Sequence, residues 1–215
     1  MADRLINPHR GAGLPDLVSP LPAHDGRAVA DLLDLCPAHA PTPLADAPGL
    51  AEKAGVGQLM LKDERSRMGL GSFKALGAAY AIARQAAEAC KGDNWSDALA
   101  GRTFVTASAG NHGLSVAAGA RIFGADAVVY LAETVPETFA ERLRAKGAQV
   151  RRAGATYEES MAAAEAAAAT DATLLSDSSW PGYTDMPYRV MEGYLQMASE
   201  AAGQIGDPPG VILLQ

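Results

Sequence analysis

A lysine at the start of a predicted helix is the first residue whose position suggests chemistry. Lys74 follows a loop rich in charge and glycine, and it would lie in the first turn of an apolar helix that Ser72 caps. Helix N-termini favour anions over ammonium groups. The positive end of the helix, with any neighbouring cation, would favour the neutral amine, which attacks an aldehyde to form a Schiff base. A solvated lysine without a catalytic role fits this segment equally well.

The turn Ser108-Ala109-Gly110-Asn111-His112-Gly113 is the second candidate, because it lies between a predicted strand and a predicted helix. Gly110 permits a tight turn, and either Ser108 or Asn111 can cap the helix. Several free backbone N–H groups converge there, so a carboxylate or a phosphate would bind well. The same turn could be purely structural, and a histidine at the position of His112 more often packs or caps than acts as a base.

Strands and helices alternate along the chain around these two segments. Hydrophobic patterning predicts strands at residues 58–62, 103–107, 127–131, 149–151, 173–176 and 211–214. It predicts helices at residues 27–35, 73–90, 111–123, 136–146 and 158–169, and one more helix along the apolar face from Met186 to Ala201. This alternation indicates an α/β fold with an open parallel sheet and helices on both faces. Ligands are then expected at the carboxyl ends of the strands.

Composition excludes several classes of function. The 215 residues carry a net charge of −7, which leaves no basic surplus for binding nucleic acid. No stretch approaches the roughly 18 apolar residues of a membrane-spanning helix. Cys36 and Cys90 lack the spacing of a disulfide framework or of a metal site, so we expect reduced thiols, no metal and a cytoplasmic protein.

Together the two segments resemble the pyridoxal-phosphate (PLP) enzymes of fold type II, the tryptophan-synthase β-like group. Ser72-Phe73-Lys74 is similar to that group's lysine motif, and the turn 108–113 is similar to its substrate-carboxylate loop. Within the group the resemblance is strongest to the diaminopropionate ammonia-lyases, over residues 42–215. The segments that carry it are residues 62–70, 73–77, 80–82, 177–187 and 191–194. The most specific of them is the Asp-x-x-Trp-x-Gly-Tyr pattern that begins at Asp177, since dehydratases share the lysine loop in outline.

The resemblance implies roles for the residues that match the family's motifs. Lys74 would form the internal aldimine with PLP, Phe73 would pack beside the cofactor ring, and Asn111 would hydrogen-bond the pyridine 3′-oxygen. The implied reaction is α,β-elimination from 2,3-diaminopropionate, which gives pyruvate and ammonia. PLP supplies the electron sink that makes the α-proton of an amino acid removable.

The same resemblance implies how a small amino-acid substrate would be held. Ser108, with the backbone amides of Gly110, Asn111 and His112, would bind the substrate carboxylate. Asp177 would be a polar catalytic group near the leaving amine, which departs easily only after protonation.

Two features keep alternatives open. Ala109 stands where the ammonia-lyase pattern carries an acidic residue, which favours a serine or threonine dehydratase-like lyase. The family's glycine-rich phosphate loop follows a strand like the one predicted at residues 211–214, and here the sequence ends at Gln215. We therefore expect the C-terminal part of the fold to be missing, and an inactive fragment of such an enzyme is the third alternative.

The expected domain organisation also follows the fold type II pattern. An irregular N-terminal arm would take residues 1–48. Residues 49–84 and 150–215 would belong to a large PLP-binding domain, and residues 85–149 would form a small mobile domain. We expect the protein to be a homodimer.

Overall fold

A parallel sheet of four strands organises the chain in the computed structural model, which describes residues 21–90 and 94–214. The strands are β1 (Leu44–Asp46), β2 (Met60–Lys62), β3 (Thr103–Ala107), β4 (Asp126–Leu131), β5 (Gln149–Arg152) and β6 (Thr173–Leu174). The helices are α1 (Gly26–Leu33), α2 (Pro48–Ala54), α3 (Lys74–Ala89), α4 (Asn111–Ile122), α5 (Glu137–Ala145), α6 (Tyr157–Asp171), α7 (Asp185–Gly193) and α8 (Leu195–Gln204). A 3₁₀ helix spans Glu64–Gly69.

Helices cover both faces of the parallel sheet, whose strand order is β5-β4-β3-β6. On one face, Val105 and Val128 are buried with Ala164 of α6. On the other face, Phe104 and Val129 are buried in a larger core to which α3, α4, α5 and α7 contribute. The predicted α/β architecture is therefore confirmed, because each strand places alternate side chains against a different helical layer.

The N-terminal part contains two elements, β1 and α2, that were not predicted from the sequence. β1 pairs antiparallel with β2, with Leu44 opposite Lys62. Pro48 occupies the first turn of α2, and Gly55 ends that helix in the left-handed conformation at φ 67°. Proline at a helix start and glycine just past its end are ordinary helix signals. Pro48 and Gly55 thus mark the two ends of a helix. Residues 1–20 of the predicted arm lie outside the described residues.

The helix predicted from Met186 to Ala201 is two helices, because α7 ends at Gly193 and α8 begins at Leu195. The break follows a close crossing of α7 over α3. A Cβ on Gly193 would lie 2.5 Å from the carbonyl oxygen of Leu76, and a Cβ on Gly77 would lie 2.6 Å from the Tyr194 ring. Two glycines thus allow the backbones to approach, which places Tyr194 beside the start of α3.

The strand predicted at residues 211–214 is wrong. Val211, Ile212, Leu213 and Leu214 adopt no strand, and each residue is at least 71% exposed. An apolar run becomes a buried strand only where a neighbouring strand pairs with it, and no strand of the described ranges does so here.

The parallel sheet extends across the boundary predicted at residues 149 and 150. β5 pairs with β4, and β6 pairs with β3, so strands assigned to the large domain share one sheet with strands assigned to the small domain. The division into a large and a small mobile domain stays a prediction.

Candidate active site

Lys74 and Asp177 meet at the centre of the candidate site. Lys74 is the first residue of α3, and its Nζ lies 2.9 Å from Oδ2 of Asp177, in the loop that follows β6. The Oγ of Ser72 accepts a hydrogen bond from the backbone N–H of Lys74 at 3.3 Å, so the predicted capping contact is present, although Phe73 occupies the N-cap position. The lysine and aspartate side chains are 31% and 27% exposed, so both remain accessible to a small molecule.

Two aromatic rings flank the Lys74 amine. Nζ lies 5.4 Å from the centroid of the Phe73 ring and 5.6 Å from that of Tyr194. The two rings pack edge to face, with centroids 5.1 Å apart. Their electron-rich faces attract a cation at such distances, which supports the ion pair with Asp177.

The charge environment of Lys74 differs from the expected one. The positive end of the helix was expected to favour the neutral amine, whereas the structure places the carboxylate of Asp177 in contact with the amine. Burial would raise the pKa of Asp177, but His112 and the hydrogen bond from Lys74 outweigh burial and lower that pKa below its ordinary value. Asp177 is thus a carboxylate at neutral pH, and it can exchange a proton with whichever amine lies against it.

The turn 108–113 forms an anion-binding geometry at the start of α4. Gly110 is the N-cap, and no side chain caps the helix there. The first N–H groups of a helix have no partner within it, so those of α4 are available to a ligand. Ser108 Oγ accepts from the Gly110 N–H at 3.3 Å, and the Asn111 side chain is exposed. In the described part of the chain, the Ser108 and Asn111 side chains have no hydrogen bond to Lys74 or Asp177.

The glycine that this turn requires is Gly113, whereas the sequence pointed to Gly110. A Cβ on Gly113 would lie 2.3 Å from the carbonyl oxygen of Ser108, far inside contact distance. A Cβ on Gly110 would meet no atom within 4 Å. The close approach therefore occurs where α4 passes the end of β3, and the space beside Gly110 is open.

The His112 imidazole does not face that open space. It is buried, and its Nε2 lies 2.9 Å from the carbonyl oxygen of Leu175. Burial lowers the pKa of His112, so the ring is neutral at physiological pH. His112 therefore connects the start of α4 to the segment that carries Asp177, and only its backbone amide belongs to the anion-binding turn.

Trp180 and Tyr183, the aromatic residues of the Asp-x-x-Trp-x-Gly-Tyr pattern, stack on each other with ring centroids 4.4 Å apart. Tyr183 has a polar role as well, because its hydroxyl hydrogen-bonds the backbone of Leu174 and Ser176. The spacing from Asp177 to Tyr183 was a visible signal, but only the folded loop reveals these bonds.

A buried ionic cluster holds the loop that precedes Lys74, and the sequence did not predict it. The Arg67 side chain is fully buried, with Nε 2.7 Å from Glu64 and Nη2 2.7 Å from Glu200 of α8. Lys62 also contacts Glu200, at 2.8 Å. Although burial opposes ionisation, the contacts from Arg67 and Lys62 lower the pKa of Glu200 to about 2. Glu200 lies 133 residues from Arg67, so no local pattern could have paired them.

Two further features of the described residues concern metals and membranes. No group of three or more His, Cys, Asp or Glu side chains within them could hold a metal ion. Across the same residues, every helix is too short or too polar to cross a membrane.

Sequence comparison finds a family model that matches most of the chain. The model for pyridoxal-phosphate dependent enzymes covers residues 35–215. The diaminopropionate ammonia-lyase of Salmonella typhimurium is 34% identical over 179 residues, which is 77% of this chain and 44% of that protein. The human L-serine dehydratase/L-threonine deaminase is 29% identical over 177 residues, which is 80% of this chain and 47% of that protein. The chain thus spans about half the length of the curated relatives it matches.

Structural comparison agrees with the sequence matches. The holo diaminopropionate ammonia-lyase of Escherichia coli superposes with a TM-score of 0.78 at 30% identity, covering 86% of this chain and 50% of that one. A pyridoxal 5′-phosphate-dependent aspartate racemase superposes with a TM-score of 0.70 at 24% identity, covering 89% of this chain and 53% of that one, which supports the fold alone.

Proposed function

We propose, because this chain belongs to the family of pyridoxal-phosphate dependent enzymes, that the protein binds PLP through Lys74 and eliminates ammonia from 2,3-diaminopropionate. The observation that carries the proposal is the contact of 2.9 Å between the Lys74 amine and the Asp177 carboxylate, with Phe73 alongside. Nucleophile, proton-exchanging group and aromatic surface are thereby combined in one accessible place.

The residues present fit the aldehyde end and the ring of PLP. The Lys74 side chain is partly exposed, so its amine can reach an aldehyde, and the Phe73 ring lies close enough to cover one face of an aromatic cofactor. Asn111, exposed at the start of α4, would hydrogen-bond the 3′-oxygen of the cofactor. When bound, PLP supplies an electron sink that weakens the bond between Cα and its hydrogen in an amino acid.

Side chains and backbone groups of the chain itself would bind the substrate and handle its protons. Ser108 and the backbone N–H groups of Gly110, Asn111 and His112 bind the substrate carboxylate. That contact orients Cα toward the Lys74 amine. The amine, in its free form, accepts the α-proton. Asp177, as a carboxylate, would accept a hydrogen bond from the departing amine and so favour its protonated form, because an amine leaves readily only after protonation.

The choice of diaminopropionate as substrate is supported by the degree of identity to two kinds of relative. The Salmonella ammonia-lyase is 34% identical to this chain, whereas the human serine dehydratase is 29% identical. The second candidate function, dehydration of serine or threonine, is favoured by one observation, the uncharged Ala109 in the anion-binding turn. Both reactions are eliminations that release ammonia from an amino acid, and they differ in the β-leaving group.

Assembly and location stay predictions. A homodimer and a cytoplasmic location are both expected, as is the small mobile domain at residues 85–149. Dimerisation is measurable by sedimentation of the purified protein.

The test of the proposed function combines covalent labelling with product assays. Borohydride reduction of the PLP-loaded protein should fix the cofactor onto Lys74, as peptide mass spectrometry would reveal. Lys74→Arg should abolish labelling and turnover, while Lys53→Arg, at an exposed position of α2, should change neither. Ammonia release from diaminopropionate but not from serine would support the ammonia-lyase. The reverse preference would establish the dehydratase, and labelling of another lysine would refute the assignment of Lys74.

A further inference from the structure

We propose that Tyr183 and His112 are positioning residues that hold the segment carrying Asp177 from two sides and so keep its carboxylate against Lys74. The inference rests on the proposed function, since it assigns these residues to the same site. Neither side chain has a hydrogen bond to the Lys74 amine or to the Asp177 carboxylate, so both would position that carboxylate through the backbone that precedes Asp177.

The Tyr183 hydroxyl bridges two backbone groups that lie two residues apart. It donates to the carbonyl oxygen of Leu174 at 2.8 Å and accepts from the N–H of Ser176 at 3.0 Å. A phenol can do both at once, because its oxygen carries one proton and two lone pairs. Burial raises the pKa of Tyr183 to about 12, so the donated proton stays in place throughout the physiological range.

His112 holds the backbone group that lies between those two. Its Nε2 lies 2.9 Å from the carbonyl oxygen of Leu175, which can only accept a hydrogen bond. The contact therefore requires the proton of the neutral ring to be on Nε2. The N–H of Leu175 donates to the carbonyl of Val105 at 2.8 Å. Thus Tyr183, His112 and β3 together fix three consecutive residues, and Asp177 is bonded directly to the last of them.

The turn that presents Tyr183 is itself well fixed. Trp180 and Tyr183 exchange two backbone hydrogen bonds, of 3.2 and 2.9 Å, and their rings stack. Gly182 between them adopts φ 89°, which side chains rarely tolerate, and Pro181 precedes it, as in a type II turn. The loop after Asp177 therefore folds back onto the residues before Asp177. The spacing Asp-x-x-Trp-x-Gly-Tyr is the length that this return requires.

Loss of these backbone contacts is expected to slow the chemical step. A displacement of about 1 Å in a reacting group can lower a rate about 100-fold. Tyr183→Phe keeps the ring and its stacking but removes both backbone contacts. We expect it to lower kcat for diaminopropionate about 10- to 100-fold, with little change in KM, because the substrate carboxylate binds to the turn at 108–113. The control Tyr130→Phe removes a hydroxyl that contacts Arg151 at 3.3 Å, within the side of the sheet that α6 covers.

Substitutions of His112 separate the hydrogen bond from packing. His112→Gln offers an amide N–H that can reach the Leu175 carbonyl, whereas His112→Leu fills similar space without a donor. We expect His112→Leu to lower kcat and His112→Gln to recover at least part of the loss. Equal activity of the two variants would overturn the part assigned to His112.

A second readout does not depend on turnover. With ¹³C-labelled aspartate in the cofactor-free protein, the Asp177 carboxyl signal, assigned through Asp177→Asn, reports its titration. Tyr183→Phe should raise the pKa of Asp177 toward the ordinary aspartate range, since the Lys74 contact loosens, and Tyr130→Phe should leave it unchanged. An unchanged titration together with an unchanged kcat would overturn the inference. A shifted titration in a protein that turns over no diaminopropionate would support the inference and refute the proposed function.

Discussion

Substitution of Gly113 by alanine tests the geometry of the anion-binding turn. The new Cβ would lie 2.3 Å from the Ser108 carbonyl oxygen and 3.2 Å from Cδ2 of Leu143. Side-chain carbons essentially never approach another heavy atom closer than 3.0 Å, so the Ser108 carbonyl and α4 must separate by about 0.7 Å. The obstacle is backbone rather than the end of a flexible side chain, and no rotation relieves it.

Two opposing effects set the size of the stability change in Gly113→Ala. Overpacking of a well-packed site costs about 1–3 kcal/mol. Alanine in place of glycine inside a helix gains about 1 kcal/mol. We therefore expect Gly113→Ala to reduce the free energy of unfolding by about 0–2 kcal/mol. At about 2–4 °C per kcal/mol for a chain of this size, the midpoint of thermal unfolding should fall by at most about 8 °C.

The matched control is Gly119→Ala in the same helix. Its Cβ would lie 2.9 Å from Cδ1 of Ile82, the end of a side chain that can rotate away. This variant gains the same helix propensity with a softer clash, so we expect little loss of stability and full activity.

Activity should distinguish the two variants more sharply than stability. Displacement of Ser108 by most of an ångström misplaces the group proposed to bind the substrate carboxylate, so kcat/KM for the amino acid should fall about 100-fold in Gly113→Ala. Thermal unfolding and ammonia release are the measurements. If Gly113→Ala matched Gly119→Ala in both, the tight approach of α4 to the end of β3 would be mistaken.

Two further predictions concern charge and stereochemistry. The pKa of Glu200, lowered to about 2, implies stability that is present above the ordinary glutamate range and lost as the pH falls toward 2. In Glu200→Gln, the free energy of unfolding measured with urea should therefore depend less on pH below pH 4.5. The variant should also be about 3 kcal/mol less stable at pH 7, because Arg67 and Lys62 lose a buried partner. At Ala109 no proton acceptor is present, so elimination should be restricted to the L-isomer of diaminopropionate. Ala109→Asp should raise turnover of the D-isomer, measured as pyruvate release, and equal wild-type rates on both isomers would contradict this reasoning.

The elements predicted well are those whose signals are local. The strand at residues 103–107 is reproduced to the residue, and α4 and β4 begin and end within one residue of their predicted bounds. Alternating apolar residues and helix-start signals are readable within about ten residues of sequence, which explains this success. β1 offered only three residues, and its partner β2 begins 14 residues after β1 ends, so no local pattern indicated the pairing.

The site was predictable as residue types and unpredictable as contacts. Lys74 and Asp177 were each identified from their motifs, yet the bond between them joins residues 103 positions apart. Tyr194 was assigned to the apolar face of a single helix. Its place beside the Lys74 amine depends on the crossing of α7 over α3, which two glycines permit. The chemistry of the side chains was thus visible in the sequence, whereas their contact partners could be identified only from the fold.

Parallel topology explains why these distant residues meet. β3 and β6 are adjacent and parallel, so the residues that follow them emerge at the same edge of the sheet. Ser108 follows β3 directly, and Asp177 follows β6 after two buried residues. In open α/β sheets this carboxyl edge is where ligands bind, since the helices that start there present free N–H groups. α3 packs against α4 and brings Lys74 to that edge from outside the sheet. His112 then links the two strand ends through the Leu175 carbonyl, so a ligand bound at the turn and the carboxylate of Asp177 share one support.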